Sequence, residues 1–380
     1  MRNNTVIFIV TLGVIGIRTT ETGFVGIVPL VADAFNITVS HAGWTVGVFA
    51  LGVAVSALFS PLLLTGIDRK KVMLLSLGVF AAGNIVSMFT SNFLVIVAAR
   101  ALPAFFHPVY ISMAFTMAAS SVKKEEAPKA VSKIFIGVSL GAVLGMPLAA
   151  LIASEASFSM AMLFFAMINA GAFAATAFLV PSMPVTEKHS YGKQIAVLKK
   201  PALQHSLITF VLLNSGICGF LSYASDYLKT VTNISFRIIS GILFVITVMN
   251  ILGNIAAGKI LVKNAAKSIL IVPLLLAALY ILLFMFGAFM YPVIAISLVF
   301  GILAGMIGNI GQYMVSSAAS EAADFVNGLY LSSANLGVLI GTSVCGLFIP
   351  VMGIQYIVLG ALLFLAASVA LMLTGKHNAR

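Results

Sequence analysis

The sequence of 380 residues is 61% hydrophobic and only 8% charged, whereas soluble domains carry about 25% charged residues. A chain this apolar has too few polar groups to cover its surface in water, so a water-soluble protein is excluded and lipid is the expected solvent. The net charge of +11 is divided among short clusters between apolar runs, which argues against nucleic acid as a partner. The two cysteines, Cys218 and Cys345, lie inside apolar runs and are interpreted as small packing residues.

Apolar runs of membrane-spanning length follow one another along the whole chain. A hydrocarbon core of about 30 Å requires ~20 such residues per helix. In chain order the runs are Val6–Leu30, Ala42–Leu64, Val72–Phe89, Phe93–Ala118, Val131–Ala153, Met160–Val180, Leu203–Leu228, Ile238–Ile260, Ile269–Phe289, Pro292–Ala318, Phe325–Pro350 and Ile354–Leu373. We therefore predict an all-α membrane protein with twelve transmembrane helices.

The longest connection between runs falls in the middle of the chain. Residues 181–202 contain three prolines and four lysines, a composition typical of a linker. We predict a six-helix bundle over residues 1–180, a cytoplasmic linker over 181–202 and a second six-helix bundle over 203–380.

The distribution of basic residues predicts the orientation. With the N-terminus in the cytoplasm, 17 of the 21 Lys and Arg residues fall in inside segments and only Lys229 and Arg237 fall outside. The first run has no small-residue cleavage site before Leu30, so we interpret it as a retained helix. The pattern predicts a multi-pass protein of a bacterial cytoplasmic membrane with both termini in the cytoplasm.

Several short motifs occur in the order found in one family of transporters. They are Thr19–Glu21 with Gly26–Pro29, Ala42–Val55, Asp68–Lys71, Arg100, the series Gly137, Gly141, Gly145 and Pro147, and Asn335–Gly337 with Gly341 and Gly346. Together they resemble the proton-coupled drug, sugar and purine exporters of the major facilitator superfamily, over essentially the whole chain. The motif around Asp68 is degenerate, because both of its usual glycines are missing.

The resemblance implies two six-helix halves that rock about a substrate site near the midplane. In the family, residues such as Asp68 and Arg69 latch the halves at the inside mouth; a basic loop that only sets the orientation is the alternative. Gly141, Gly145 and Pro147 belong to a helix that in the family seals the interface between halves and is associated with antiport. Close packing of small residues is the alternative for these positions.

Five ionisable residues are predicted within the membrane, where charge is costly and marks functional sites: Arg18, Glu21, Arg100, His107 and Asp226. Glu21 and Arg100 lie at similar depths, so a contact between them is expected. Burial favours the neutral acid of Glu21, whereas a nearby arginine favours its carboxylate. Glu21 is therefore either a proton carrier or a fixed counter-ion.

The other intramembrane groups also have two interpretations each. Arg18 replaces the usual glycine of the family and either binds an anionic or carbonyl-bearing substrate or pairs with Glu21 three residues along the helix. His107 either relays protons or is satisfied by a neighbouring helix. Asp226 lies near the outer end of its run, where a solvated vestibule position is expected.

Asn309, Gln312 and Asn335 either bind substrate or join helices through hydrogen bonds. The sequence contains no phosphate-binding loop and no clustered metal ligands, so we expect no cofactor and no metal. The predicted function is proton-coupled export of a small organic molecule of the drug, sugar or nucleobase class by a monomer. Import by a symporter of the same fold is the first alternative. A membrane-embedded enzyme or a receptor is the second, and the chain lacks the nucleophile set or soluble domain that these would need.

Overall fold

The computed structural model describes residues 2–63, 67–123, 127–182, 196–319 and 323–375. The first half forms the helices Arg2–Gly26, Val28–Phe35, Val39–Ala42, Trp44–Leu63, Arg69–Phe89, Phe93–Ser120, Ala127–Glu155 and Phe158–Leu179. The second half forms Pro201–Leu221, Ala224–Thr230, Phe236–Phe286, Met290–Ala318, Ala323–Met352 and Ile357–Gly375. Short 3-10 turns lie at Ala196–Lys199 and Ile354–Tyr356, and the described ranges contain no strand.

Twelve stretches of the described chain are long and apolar enough to cross a membrane, which confirms the predicted number and the fold class. We number these spans in order: Asn4–Gly26, Val39–Ala57, Arg69–Phe89, Phe93–Ala118, Lys133–Glu155, Phe158–Leu179, Pro201–Leu221, Phe236–Leu261, Lys263–Phe286, Met290–Ala318, Phe325–Met352 and Ile354–Leu373. Large apolar side chains face outward, and the exposed fraction reaches 78% for Phe89 and 85% for Phe178. Lipid is the solvent that stabilises such a surface.

Two connections differ from the sequence-based prediction. The predicted connection between the eighth and ninth spans is present but shorter than predicted: the two helices extend to a break at Asn264, where φ is −161° and ψ is 86°. Its neighbours are good helix formers, and the Asn264 side chain caps the ninth span by accepting a hydrogen bond from the Lys267 amide at 3.0 Å. Conversely, the first predicted run breaks at Ile27, just before Pro29, which lacks the N–H needed to continue the first helix.

The helices pack as two related sets of six. The first span packs against the fifth and the second against the fourth; in the same way the seventh packs against the eleventh and the eighth against the tenth. Between the sets, the second span meets the eleventh. The fifth span meets the helix Phe236–Phe286, and its Glu155 pairs with Arg237 of the eighth span. The second and fifth spans of the first half correspond to the eighth and eleventh of the second half. A pseudo-two-fold axis between the halves therefore relates one of these contacts to the other. The exact domain boundaries stay a prediction, since residues 183–195 of the predicted linker lie outside the described residues.

The two ends of the bundle differ in charge. The basic end carries Arg69–Lys71, Lys123, Lys199–Lys200 and the lysines of 259–267, and the opposite end, here called the far end, carries Asp33, Glu155, Lys229 and Arg237. Three polar contacts join the halves across the far end: Lys229 Nζ to Asp33 Oδ2 at 3.4 Å, Arg237 Nη2 to Glu155 Oε1 at 3.1 Å, and Ser225 Oγ donating to the Gly26 carbonyl at 2.9 Å. The far end is therefore closed in this structure.

A tyrosine completes this closure beside the single tryptophan. The Tyr223 hydroxyl of the second half lies so close to Gly43 of the first half that a Cβ there would be 2.2 Å away. The next residue, Trp44, is 50% exposed and stands edge-on to His41 with 5.3 Å between ring centroids. Trp44 therefore adjoins a contact that must break if the far end opens.

Candidate functional site

A cavity of about 430 Å³ lies between the two halves. The first six spans contribute Glu21, Phe49 and Arg100 to its wall, and the second half contributes Cys218, Ser222 and Asn335. The remaining wall is aliphatic. A polar patch within an apolar wall is the usual construction of a small-molecule site.

Three predicted residues form one cluster, which we call the Glu21 cluster: Arg18, Glu21 and His107. Glu21 is the member that lines the cavity. Arg18 Nη1 forms an ion pair with Glu21 Oε2, as their spacing of one helical turn allows. His107 Nε2 lies 2.9 Å from the same oxygen. The side chains of Arg18 and Glu21 keep 23% and 19% of their surface exposed, whereas that of His107 keeps 4%. The ion pair that the sequence left as an alternative for Arg18 is thus present.

Arg100 lines the same cavity without joining this cluster. Its guanidinium lies between two phenylalanines, with Cζ 3.9 Å from the ring centroid of Phe24 and 4.2 Å from that of Phe49. Nε donates to the Thr45 carbonyl at 3.5 Å and Nη1 to the Thr20 carbonyl at 3.4 Å. Glu21 and Arg100, for which the sequence predicted a contact, line the same cavity but form no direct ion pair among the described residues. Backbone carbonyls and aromatic faces contact the guanidinium instead.

The glycines of the fifth span support the helix that carries the cluster. A Cβ on Gly141 would lie 2.5 Å from Arg18 Cβ, and one on Gly145 would lie 2.9 Å from the Thr19 carbonyl oxygen. The glycine face thus packs on the first span within its own half, while the fifth span also packs against the eighth. Pro147, just beyond, is buried. Close packing is established for these glycines; their gating role stays a prediction.

The predicted polar residues of the second half separate into two groups. Asn335 lines the cavity and donates Nδ2 to the Leu331 carbonyl at 2.9 Å. Asn309 instead hydrogen-bonds the Asn254 side chain, which joins the tenth span to the eighth. Gln312 Nε2 lies 3.4 Å from Asn327 Oδ1, between the tenth and eleventh spans. Asn309 and Gln312 therefore join helices outside the cavity wall.

Asp68 and Arg69 lie at the basic end. Asp68 is the N-cap of the helix that Arg69 begins, and its Oδ1 accepts from the Lys71 amide at 3.2 Å. Its Oδ2 accepts a hydrogen bond from Ser182, at the start of the predicted linker. Lys70 Nζ donates to the Ala177 carbonyl at 2.8 Å, which ties the third span to the sixth.

Asp226 does not have the solvated position expected from the sequence. It lies in the helix Ala224–Thr230, beyond the seventh span, with 9% of its surface exposed. The prediction was wrong because the helix Ala224–Thr230 packs against Val28–Phe35, Ile354–Tyr356 and Phe236–Phe286 at the closed far end. Burial raises the pKa of the Asp226 carboxyl, while the Thr230 hydroxyl at 3.3 Å and the nearby Lys229 oppose the rise.

Sequence reasoning missed several residues of the site. Cys218, interpreted as a packing residue, faces the cavity, as does Ser222, whose hydroxyl lies 2.8 Å from that of Thr342. Phe24 and Phe49 contact the Arg100 guanidinium, but in the sequence they cannot be told from ordinary lipid-facing or core phenylalanines. Phe24, Phe49 and Arg100 lie on three different spans, so no spacing along the sequence predicts that they meet.

Comparison with known proteins identifies the family. The model of the Major Facilitator Superfamily matches residues 10–342. The chain is 25% identical to the inner membrane transport protein YdhP of Escherichia coli over 93% of each chain. It is 27% identical to the MFS-type transporter YtbD of Bacillus subtilis, covering 89% of this chain and 87% of that one. A probable sugar efflux transporter of Helicobacter pylori is 25% identical over 92% of this chain and 90% of its own length.

Solved structures agree on the fold. A mutant of the nucleoside transporter NupG superposes with a TM-score of 0.79 over 98% of both chains at 15% identity. An inward-facing bacterial homologue of the lysosomal transporter Spinster superposes with a TM-score of 0.78, covering 98% of this chain and 95% of that one, at 14% identity. With twelve spans, a cavity between two related halves and a family match along most of its length, the chain belongs to the Major Facilitator Superfamily of membrane transporters and is not an enzyme.

Proposed function

We propose that this transporter uses the proton gradient to export a small organic molecule by alternating access, with Glu21 as the proton carrier. The observation that carries the proposal is the position of the Glu21 carboxylate on the cavity wall, partly exposed and within 2.9 Å of His107 Nε2. A carboxylate that reaches the cavity while touching a histidine can exchange protons with whichever side the cavity opens to. His107 is then the group that shares the proton with Glu21.

Export is supported by one relative and by the motif series of the fifth span. The Helicobacter pylori relative is a probable sugar efflux transporter. We infer that the basic end faces the cytoplasm, that Asp68 and Arg69 act there as the latch between halves, and that the chain works as a monomer. The closed far end then corresponds to a state that receives substrate from the cytoplasm.

The direction of transport is tested with membrane vesicles. We expect everted vesicles with an acidic interior to accumulate a labelled substrate, because the imposed gradient drives protons outward through the carrier as substrate enters the lumen. A panel of sugars, nucleosides, organic acids and cationic drugs supplies the labelled compounds. Right-side-out vesicles from the same cells serve as the control. Accumulation only in right-side-out vesicles with an acidic exterior would establish import and contradict the proposal.

The orientation is tested by cysteine labelling of intact cells. In a background with Cys218→Ser and Cys345→Ala, we expect an impermeant maleimide to label Lys229→Cys from outside. Lys193→Cys, in the predicted linker, is expected to react only in everted vesicles, because the basic connectors stay in the cytoplasm. The reverse pattern would place the basic end outside the cell.

A further inference from the structure

We propose that the cavity binds an organic monoanion, with a carboxylate head at Arg100 and an apolar body along the aliphatic wall. The first ground is the charge balance of the membrane interior. Besides Glu21, the twelve spans contain one Asp or Glu, Glu155, which is the last residue of its span at the far end. The cavity region thus holds two arginines, Arg18 and Arg100, against one carboxylate.

The second ground is that the single carboxylate is already occupied. Glu21 pairs with Arg18 and lies 2.9 Å from His107 Nε2, so its charge is compensated within the Glu21 cluster. Arg18 is therefore the direct partner of Glu21, and Arg100 is the cavity cation that has no carboxylate in contact with it among the described residues. This assignment gives Arg100 the anion-binding role that the sequence offered as one of two interpretations of Arg18.

The third ground is how Arg100 is held. Aromatic faces and neutral carbonyls stabilise a guanidinium without cancelling its charge. The residue is only 3% exposed, and Nη2 has no acceptor among the described residues. A guanidinium has five N–H donors in a planar fork that matches a carboxylate. A buried, unpaired charge is costly, so an anionic ligand gains affinity by supplying the missing partner.

The rest of the wall limits the body of the ligand. Val25, Val46, Leu221 and Val338 line the cavity, and the second half contributes only neutral polar groups. Apolar surface on the ligand is therefore buried favourably, whereas a second carboxylate on the ligand would meet no further arginine on the cavity wall. A cationic ligand would lie beside the guanidinium of Arg100, and the Glu21 carboxylate that could attract it is already paired with Arg18. The geometry points to an aromatic or aliphatic monocarboxylate.

The inference deepens the proposed function by naming its substrate class, but its test is a binding measurement that needs no proton gradient. Isothermal titration of the purified chain in detergent compares three probes of one shape: naphthalene carboxylate, its carboxamide and its aminomethyl cation. We expect the carboxylate to bind at least about tenfold more tightly than the carboxamide, as charge-assisted hydrogen bonds contribute about 1.5–3 kcal/mol. Equal binding of the three probes, tighter binding of the cation, or no binding of the carboxylate would overturn the inference.

A matched pair of variants locates the effect. Asn335→Asp adds a carboxylate to the cavity wall at nearly constant shape, and we expect it to weaken binding of the naphthalene carboxylate by about tenfold or more while improving binding of the cation. Asn92→Asp adds the same charge at an exposed N-cap outside the cavity, where Asp caps as well as Asn, and is expected to change neither affinity. Equal effects of the two variants would assign the preference to overall charge and contradict a site at Arg100. If the carboxylate still binds most tightly but no proton-driven transport is found, only the proposed proton-coupled export is contradicted, and the inference about the anion site stands.

Discussion

Replacing Glu21 with glutamine is expected to abolish accumulation driven by a pH gradient while leaving a folded protein that still exchanges substrate. Glutamine keeps the shape of the side chain and a hydrogen-bond acceptor for Arg18, but it cannot carry a proton. Proton-driven accumulation and gradient-free exchange are measured in the same vesicles, so that loss of coupling is separated from loss of transport. The expected pattern is loss of the first activity and retention of the second.

Two further variants make this result interpretable. Removing one partner of a buried ion pair can cost about 3–5 kcal/mol, so Glu21→Gln alone is expected to lower the melting temperature. The double variant Arg18→Gln with Glu21→Gln removes both charges; it should recover stability but not proton coupling. Glu155→Gln makes the same chemical change at a half-exposed far-end position and should retain coupling. Full proton-driven accumulation in Glu21→Gln would eliminate Glu21 as the carrier.

The second large effect is expected at Gly305, where the tenth span crosses the eighth. A Cβ at Gly305 would lie 2.0 Å from the backbone oxygen of Asn250, and backbone cannot rotate away as a side chain can. We expect Gly305→Ala to separate the two helices and to destabilise the protein by about 1–3 kcal/mol, the usual cost of overpacking. Thermal unfolding followed by far-ultraviolet circular dichroism in one detergent measures the change.

Gly171 supplies the matched control for this substitution. It also lies within a span, but a Cβ there meets nothing within 4 Å. Since alanine is favoured over glycine inside a helix by about 0.8–1.0 kcal/mol, Gly171→Ala should leave the melting temperature unchanged or raise it. If the two alanine variants melted alike, the close approach of the eighth and tenth spans would not contribute to stability.

The fold was predictable because lipid imposes a strict pattern on the sequence. Each span must be apolar for the full thickness of the bilayer, and the short connectors collect the basic residues, so twelve spans could be counted directly. The break between the eighth and ninth spans was predicted, but its length was not: the lysines suggested a loop of several residues, whereas the helices extend to Asn264 on both sides. The local helix propensity of these residues shortens the connection.

The site was predictable only where its residues share one helix. The Arg18–Glu21 pair follows from spacing along the first span, and the structure contains it. The approach of His107 to Glu21 and the position of Arg100 between two phenylalanines depend on how the fourth span is rotated about its axis. That rotation is fixed by packing against several other spans, which periodicity along one span does not encode. The same limit explains why Asn309 and Gln312 lie away from the cavity wall, although both are polar residues within the tenth span.

The pairing of Tyr223 with Gly43 beside Trp44 has a practical consequence. Because the chain has a single indole, its intrinsic fluorescence comes from one known position. When Tyr223 moves away from Gly43, the water and the His41 ring around Trp44 change position. The emission wavelength and the quenching of Trp44 fluorescence should therefore follow the conformational cycle in real time. The fluorescence of Trp44 should therefore report the conformational cycle of the protein without an added label.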